Sequence, residues 1–364
     1  MYLYLLLYLV IGILIFCMLR RQIRFESTVW RIFSLKTDLY RFSYAKLHFY
    51  PQIRYLCRME KFEVHILGCG SALPTLRHWP SCQLINLREK LFMIDCGEGA
   101  QVQYRRSRQK FSRLSHIFIS HLHGDHIFGL IGMLSTLALS GRTAPIHIYA
   151  HPELETLMRP WLDFFCKGIT FDVVFHPLPK RATEPQLIFE DRSVCVYALT
   201  LHHRVPSCGF IFREKALLPH IRRDMIDFLK IPYYAINTIK QGGGWTTPDG
   251  DFYPHERLVF PAEPARTYAY CSDTTFMPEN VAFLKHTDVL YHEATFGTEY
   301  AARAKETMHS TAAQAAEMAR LAEAKRLVIG HFSSRYNDDT PLLDEAKAIF
   351  PNTLLAKEGL TISL

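Results

Sequence analysis

Four potential metal ligands fall within six residues at His121-Leu122-His123-Gly124-Asp125-His126. Histidines two apart project from one side of an extended turn, so His121 and His123 can grip one cation. Asp125 and His126 face the other way and can grip a second. Imidazole and carboxylate donors without a thiolate suit Zn²⁺, with Mn²⁺ or Fe²⁺ as the alternatives. Further donors end later apolar runs: His202 and His203 after Val194–Leu199, Asp273 after Thr267–Cys271, and His331 after Leu327–Gly330. A carboxylate at Asp273 can bridge two cations, and His331 is placed to join Asp125 and His126. His202 and His203 both stand where a third imidazole is needed beside His121 and His123. Strand alternation sends them to opposite faces, and spacing leaves the choice open.

These residues need elements to hold them. Ile117-Phe118-Ile119 leads into the first cluster and the apolar stretch Ile127–Leu139 follows it, which reads as buried strand, ligand-bearing loop, then helix. Gly124 is expected to supply unusual backbone angles in that loop. Upstream, an alternating strand from Phe62 runs into the Gly-rich turn at Gly68–Thr75. Strands at Cys82–Leu87 and from Leu91 follow, the second ending in the glycine-punctuated turn after Asp95. Downstream come a strand (Ile146–Ala150), a helix over about 152–167, and strands at Phe171–His176, Leu187–Phe189 and Val194–Leu199. His309-Ser310-Thr311 heads a helix over Ala312–Ala324, with Thr311 as its N-cap. Residues of about 213–266 break this rhythm, and the excursion is too long for an ordinary loop. Its aromatics and basic residues, Lys240 among them, could grip RNA by stacking and phosphate contact. Arg105, Arg106, Arg108, Lys110 and Arg113 put five positive charges in nine residues, a run that phosphate contacts also use.

Composition limits the rest. The chain has 364 residues, 49% of them hydrophobic, which suffices for a large core and argues against wholesale disorder. Its nine cysteines are odd in number and form no CxxC pair, as in a reduced compartment and unlike a disulfide framework or zinc knuckle. Residues 1–58 hold nine Lys/Arg against two Asp/Glu; the whole chain holds 42 against 35, so residues 59–364 balance at 33 against 33. The basic character therefore belongs to the leader, and nucleic-acid binding must rest on local patches. Met1–Leu19 has no charged side chain and is followed by Arg20, Arg21 and Arg24. That length could cross a bilayer and leave the remainder in the cytoplasm. The competing expectation is that the protein starts at Met59, with residues 1–58 as upstream sequence read in frame.

HLHGDH on a strand-loop-helix resembles the metallo-β-lactamase superfamily of binuclear hydrolases, which implies an α/β fold of four αββα layers with, here, an inserted arm at about 213–266. HLHGDH, Ser272-Asp273-Thr274, His292-Glu293-Ala294-Thr295-Phe296, His309-Ser310-Thr311 and Gly330-His331-Phe332-Ser333-Ser334-Arg335-Tyr336 occur in that order. Together they resemble ribonuclease Z, the tRNA 3′-processing endonuclease family, over residues 59–364. The resemblance implies two Zn²⁺ per chain. His121, His123 and His203 would hold one, Asp125, His126 and His331 the other, and Asp273 would bridge. His203 is preferred to His202 because the family places Val two and Gly six residues after its ligand, as Val205 and Gly209 stand here. Asp95 would support the ligands, since metal-bound histidines donate their second N–H to such groups, and Glu293 would be a second supporting carboxylate. Asp125 would also accept a proton and His309 would assist the leaving 3′ oxygen, giving a tRNA 3′-hydroxyl and a 5′-phosphate on the trailer. A tRNA precursor as substrate, a homodimer and a cytoplasmic location complete the expectation. One departure is in the arm: Ile231-Pro232-Tyr233-Tyr234 stands where the family usually has a Gly-Pro pair after Ile-Pro. Two rivals remain: another phosphodiesterase of this fold acting on small or cyclic diesters, and a non-catalytic zinc-binding scaffold.

Overall fold

The computed structural model describes residues 61–364, so the expectations for residues 1–58 lie outside the described residues. Alternation along Leu91-Phe92-Met93-Ile94 explains the layering. Phe92 and Ile94 enter one apolar core, while Leu91 and Met93 enter a second on the opposite face of the same strand. A strand buried on both faces must lie inside a stack of layers, and this one does.

The first sheet contains β1 (Phe62–Gly68), β2 (Cys82–Leu87), β3 (Lys90–Ile94), β4 (Leu114–Phe118), β5 (Ile146–Ala150), β6 (Val173–Pro177) and β18 (Thr361–Ser363), in the order β18-β1-β2-β3-β4-β5-β6. The second contains β7 (Gln186–Glu190), β8 (Val194–Leu201), β9 (Ser207–Glu214), β14 (Thr267–Cys271), β15 (Val289–Glu293), β16 (Leu327–Gly330) and β17 (Thr353–Leu355), in the order β17-β16-β15-β14-β9-β8-β7. Between the sheets lie Phe92, Phe118, Phe210, Phe212 and Tyr268. Helices α1 (Ala100–Arg106), α3 (Leu130–Leu139) and α4 (Glu153–Phe165) cover the outer face of the first sheet through Tyr104, Met133, Leu134 and Met158.

Helix α2 (Gly124–Ile127) corrects the expected loop-then-helix reading, because Asp125 and His126 sit in this single helical turn. The helix breaks before α3 at Gly129, whose N–H bonds Cys96 O at 2.9 Å. A Cβ at Gly129 would lie 2.0 Å from Gly97 O, so the loop after β3 packs directly against the break. Gly124 differs from expectation too. Its φ is not positive, and a Cβ there would meet the Phe128 ring at 2.2 Å. Its value is room for that ring.

The excursion between β9 and β14 has its own small core of Ile226, Ile231, Ala235, Ile239, Leu258 and Val259. Two short strand pairs, β10 (His220–Ile221) with β13 (Val259–Phe260) and β11 (Trp245–Thr246) with β12 (Phe252–Tyr253), shape it. Its ends are clamped where they leave the sheet. Glu214 N–H donates to Arg266 O at 2.9 Å, and the buried Glu214 carboxylate accepts from Arg266 Nε at 2.8 Å and Arg88 Nε at 3.1 Å. Tyr233 and Tyr234 are exposed at its surface. Among the described residues no helix is long and apolar enough to cross a membrane.

Candidate metal centre and active site

Each candidate ligand or supporting carboxylate stands at or just after the carboxyl end of a strand: Asp95 after β3, His121–His126 after β4, His203 after β8, Asp273 after β14 and His331 after β16, with Glu293 the last residue of β15. Asp95, Asp273 and His331 have φ of 56°, 57° and 61°, in the left-handed region. That turn of the backbone re-aims a side chain as the strand ends, a conformation Asp and His adopt more readily than most residues.

The donors form two groups sharing Asp273. Two ligands of a tetrahedral zinc at about 2.0–2.1 Å stand roughly 3.3–3.4 Å apart, so donor separations test the fit. In the first group His121 Nε2 lies 3.0 Å from His123 Nδ1, which lies 3.3 Å from His203 Nε2. Asp273 Oδ2 is 3.5 Å from His121 Nε2 and 3.7 Å from His203 Nε2. In the second, His126 Nε2 stands 3.4 Å from Asp125 Oδ2 and 3.3 Å from Asp273 Oδ1, and His331 Nε2 stands 3.6 and 3.1 Å from the same atoms. His203 thus joins the cluster, while the adjacent His202 is exposed and bonds Thr275 Oγ1 at 3.2 Å.

The second nitrogens of His126, His203 and His331 are already occupied. His126 Nδ1 donates to Asp95 Oδ2 at 2.7 Å, His203 Nδ1 to Met308 O at 3.0 Å, and His331 Nδ1 to Thr295 Oγ1 at 3.0 Å. Nε2 of His126 and of His331 is buried with no hydrogen-bond partner. A buried, unsatisfied imidazole nitrogen is costly unless a cation takes its lone pair, so this donor set fits a metal. Asp95 is itself fixed by Ser120 N–H at 2.8 Å and Tyr270 O–H at 2.7 Å.

Beside the donors, Glu293 accepts from His309 Nδ1 at 2.9 and 3.1 Å, from Thr274 N–H at 2.6 Å and from Ser310 N–H at 3.1 Å. Burial alone would lower the His309 pKa, but the Glu293 carboxylate outweighs it and pushes the imidazole up to about 9. Thr311 caps the helix Ala312–Leu321 in a capping box with Gln314, which fixes the start of the segment that presents His309. Buried Asp273 is held well below the usual carboxylate range; burial opposes this, and the surrounding histidines prevail.

A cleft of about 180 Å³ opens over these groups, lined in part by Ser71, Ala72, Asp125, His309 and three arginines, Arg204, Arg303 and Arg335. Curated relatives align over most of the chain. The Ribonuclease Z of Bacteroides thetaiotaomicron is 59% identical over 306 residues, 84% of this chain and 96% of the relative. That of Bacteroides fragilis strain ATCC 25285 is 58% identical over 84% of this chain and all of the relative. The chain belongs to the ribonuclease Z family. Among solved structures, human tRNase Z, short form (ELAC1), is similar with a TM-score of 0.61 and 29% identity, covering 83% of this chain and 98% of that one. The metallo-β-lactamase fold protein YhfI from Bacillus subtilis has a TM-score of 0.58 at 17% identity, over 84% of this chain and all of that one, a likeness of fold. A family model described as Anti-Pycsar protein Apyc1 matches residues 62–219. The architecture is the metallo-β-lactamase fold.

For this ribonuclease Z family member, sequence reasoning brought together the seven donors, His309, Asp95 and Glu293, and the structure sets them in one place. It does not bring Arg105, Arg106, Arg108, Lys110 or Lys240 to the cleft. Arg105 and Arg106 end α1, Arg106 stacking 5.9 Å over Trp79, and Lys240 ends a helix of the arm, Ile236–Lys240. The lining arginines were missed, although two stood inside motifs already singled out. Arg204 follows His203 directly, and Arg335 belongs to the run that begins at His331. Arg335 is held over Tyr300 at 4.6 Å and Phe296 at 5.1 Å.

Proposed function

We propose that this hydrolase is a zinc-dependent endoribonuclease that removes the 3′ trailer from tRNA precursors, leaving a 3′-hydroxyl on the tRNA and a 5′-phosphate on the trailer. The observation that carries the reading is the His309–Glu293 pair beside two donor groups sharing Asp273, in a chain aligned with ribonuclease Z relatives over 84% of its length. His121, His123 and His203 would hold one zinc, Asp125, His126 and His331 the other, with Asp273 between them. Bound there, the two ions would activate water at neutral pH and stabilise the attacking and leaving oxygens of an in-line displacement.

The chain's own residues supply the rest. Ala72 N–H bonds Asp125 Oδ2 at 2.8 Å and holds the carboxylate in register. Asp125 then accepts the proton of the attacking water. His309, kept protonated by Glu293, gives its proton to the tRNA 3′ oxygen as the P–O bond breaks. Arg204, Arg303 and Arg335 suit the phosphates on either side of the scissile bond, since guanidinium forks pair with phosphate oxygens. Tyr233 and Tyr234 give the arm stacking surfaces where the family has Gly-Pro. Residues 59–364 carry the activity, acting as a cytoplasmic homodimer in which the arm of one protomer serves its partner's substrate. Membrane attachment enters only if residues 1–19 are an anchor.

A second reading, a phosphodiesterase of small or cyclic diesters, uses the same donors and needs no arm. Protein beginning at Met59, loaded with zinc, is given a trailer-bearing tRNA precursor or bis(p-nitrophenyl) phosphate. Cleavage at the tRNA–trailer junction, lost in Asp125→Ala, is expected. Hydrolysis of the small diester with the precursor left intact would favour the second reading. Light scattering of the same sample tests the dimer.

A further inference from the structure

A second set of metal-ligating side chains lies apart from the seven donors. Cys69 follows β1, His78 stands in the loop before β2, and Glu358 precedes β18, so three separate chain segments supply it. Cys69 Sγ is 3.4 Å from His78 Nδ1 and 3.7 Å from Glu358 Oε1, and His78 Nδ1 is 3.3 Å from Glu358 Oε2. With zinc–sulfur near 2.3 Å and zinc–nitrogen or zinc–oxygen near 2.0–2.1 Å, tetrahedral edges are roughly 3.5–3.6 Å to sulfur and roughly 3.3–3.4 Å between nitrogen and oxygen. The sulfur–imidazole and imidazole–Oε2 separations fall within about 0.2 Å of those edges, while the carboxylate turns its other oxygen, Oε1, towards the sulfur.

The surroundings are those of a built site. His78 Nε2 pairs with Asp339 Oδ2 at 2.8 Å, and Asp339 Oδ1 is held by Arg77 at 3.0 Å. Glu358 Oε1 accepts Trp79 N–H at 2.8 Å, which orients the carboxylate. An imidazole fixed from behind by a carboxylate, and a carboxylate fixed by a backbone amide, are the supports that metal ligands use. Cys69 is fully buried, whereas the His78 and Glu358 side chains are 10% and 17% exposed, which leaves an ion a way in from solvent.

We propose that Cys69, His78 and Glu358 bind a divalent cation of the zinc class, separate from the catalytic pair, which clamps the loop from Cys69 to Pro80 onto the segment before β18. Binding releases the Cys69 thiol proton and the proton on His78 Nδ1 to solvent, so that thiolate, neutral imidazole and carboxylate face the ion. Without the ion those protons fill its place. Burial and Glu358 push the thiol well above its ordinary range, and Asp339 and Glu358, against burial, raise His78 to about 9. The clamp bears on the active site because the same loop carries Ala72, whose N–H bonds Asp125 Oδ2, and Ser71–Leu73 line the cleft. Its role there is positioning.

The seven catalytic donors contain no sulfur, so cobalt distinguishes the two sites whatever the enzyme cleaves. The full-length protein is stripped with a chelator and reloaded with Co²⁺; near-ultraviolet absorption and cobalt per chain are then measured. The expected result is a thiolate-to-cobalt charge-transfer band in the wild type. Cys69→Ser should abolish the band and lower the cobalt count by one, and Glu358→Gln should require at least tenfold more free cobalt for the same band. A wild type without the band overturns the proposal, as does a band that persists unchanged in both variants. If Cys69→Ser does not fold, the wild type and Glu358→Gln decide between these outcomes.

Discussion

Replacing Glu293 by Gln removes the charge that keeps His309 protonated while preserving side-chain size. The wild-type imidazole, at about 9, is raised from an ordinary 6.5 against the opposing pull of burial. With the carboxylate gone, burial acts unopposed by it, and the His309 pKa falls towards or below 6.5. At pH 7.5 the protonated fraction then drops from about 0.97 to about 0.09, a loss of roughly tenfold in the acid form and the minimum expected fall in kcat/KM. The sign is fixed: a proton donor works below its pKa, so the basic limb of the pH profile moves down in the variant. Loss of the Glu293 charge also weakens its bonds from Thr274 N–H and Ser310 N–H, at a cost of about 1–3 kcal/mol in stability. Cleavage of a trailer-bearing precursor should therefore be followed from pH 6 to 9.5, with urea unfolding alongside. An unshifted basic limb and kcat/KM within twofold of wild type at pH 7.5 would refute the assignment of His309 as acid held by Glu293.

Asp95→Asn should weaken metal retention about tenfold to a hundredfold, because it removes the charge behind His126; competition with a graded chelator measures it. Arg335→Ala, which removes a guanidinium stacked on Tyr300 and Phe296, should raise KM for the precursor roughly tenfold or more with kcat little changed. A fall in kcat alone would contradict a binding role. Glu214→Gln leaves Arg88 and Arg266 facing a neutral amide at the root of the arm and should cost about 3 kcal/mol in urea unfolding. Unchanged stability would mean that solvent already screens this pair.

The legible parts of the site were the local ones. His121 to His126 lie within six residues, and their spacing alone divided them between the two donor groups that the fold assembles. Strand ends were readable from apolar alternation at Cys82–Leu87 and Ile146–Ala150, where β2 and β5 have those bounds. What period-two reasoning could not do was choose between His202 and His203, because the chain turns as β8 ends and alternation no longer fixes direction. It also read the turn α2 as part of the ligand loop and began the next helix at Ile127, since the break at Gly129 depends on close packing against Gly97, from another part of the chain. The basic run Arg105–Arg113 drew attention by density of charge, whereas Arg204, Arg303 and Arg335 are scattered in sequence and meet only in the fold. Cys69 and Glu358 lie 289 positions apart, beyond any spacing rule.

The left-handed backbone at Asp95, Asp273 and His331 has an evolutionary side. Each such residue holds a conformation that costs on the order of 1–3 kcal/mol and that glycine would adopt freely. Asp273, moreover, keeps a carboxylate in the interior. Sequence drift that improves folding without regard to turnover is therefore drawn first to the ligands and their supporting carboxylate. Lineages released from selection for cleavage should lose these three residues sooner than the aromatic packing between the sheets. The fold would outlast the chemistry, leaving well-folded descendants without their metal ligands.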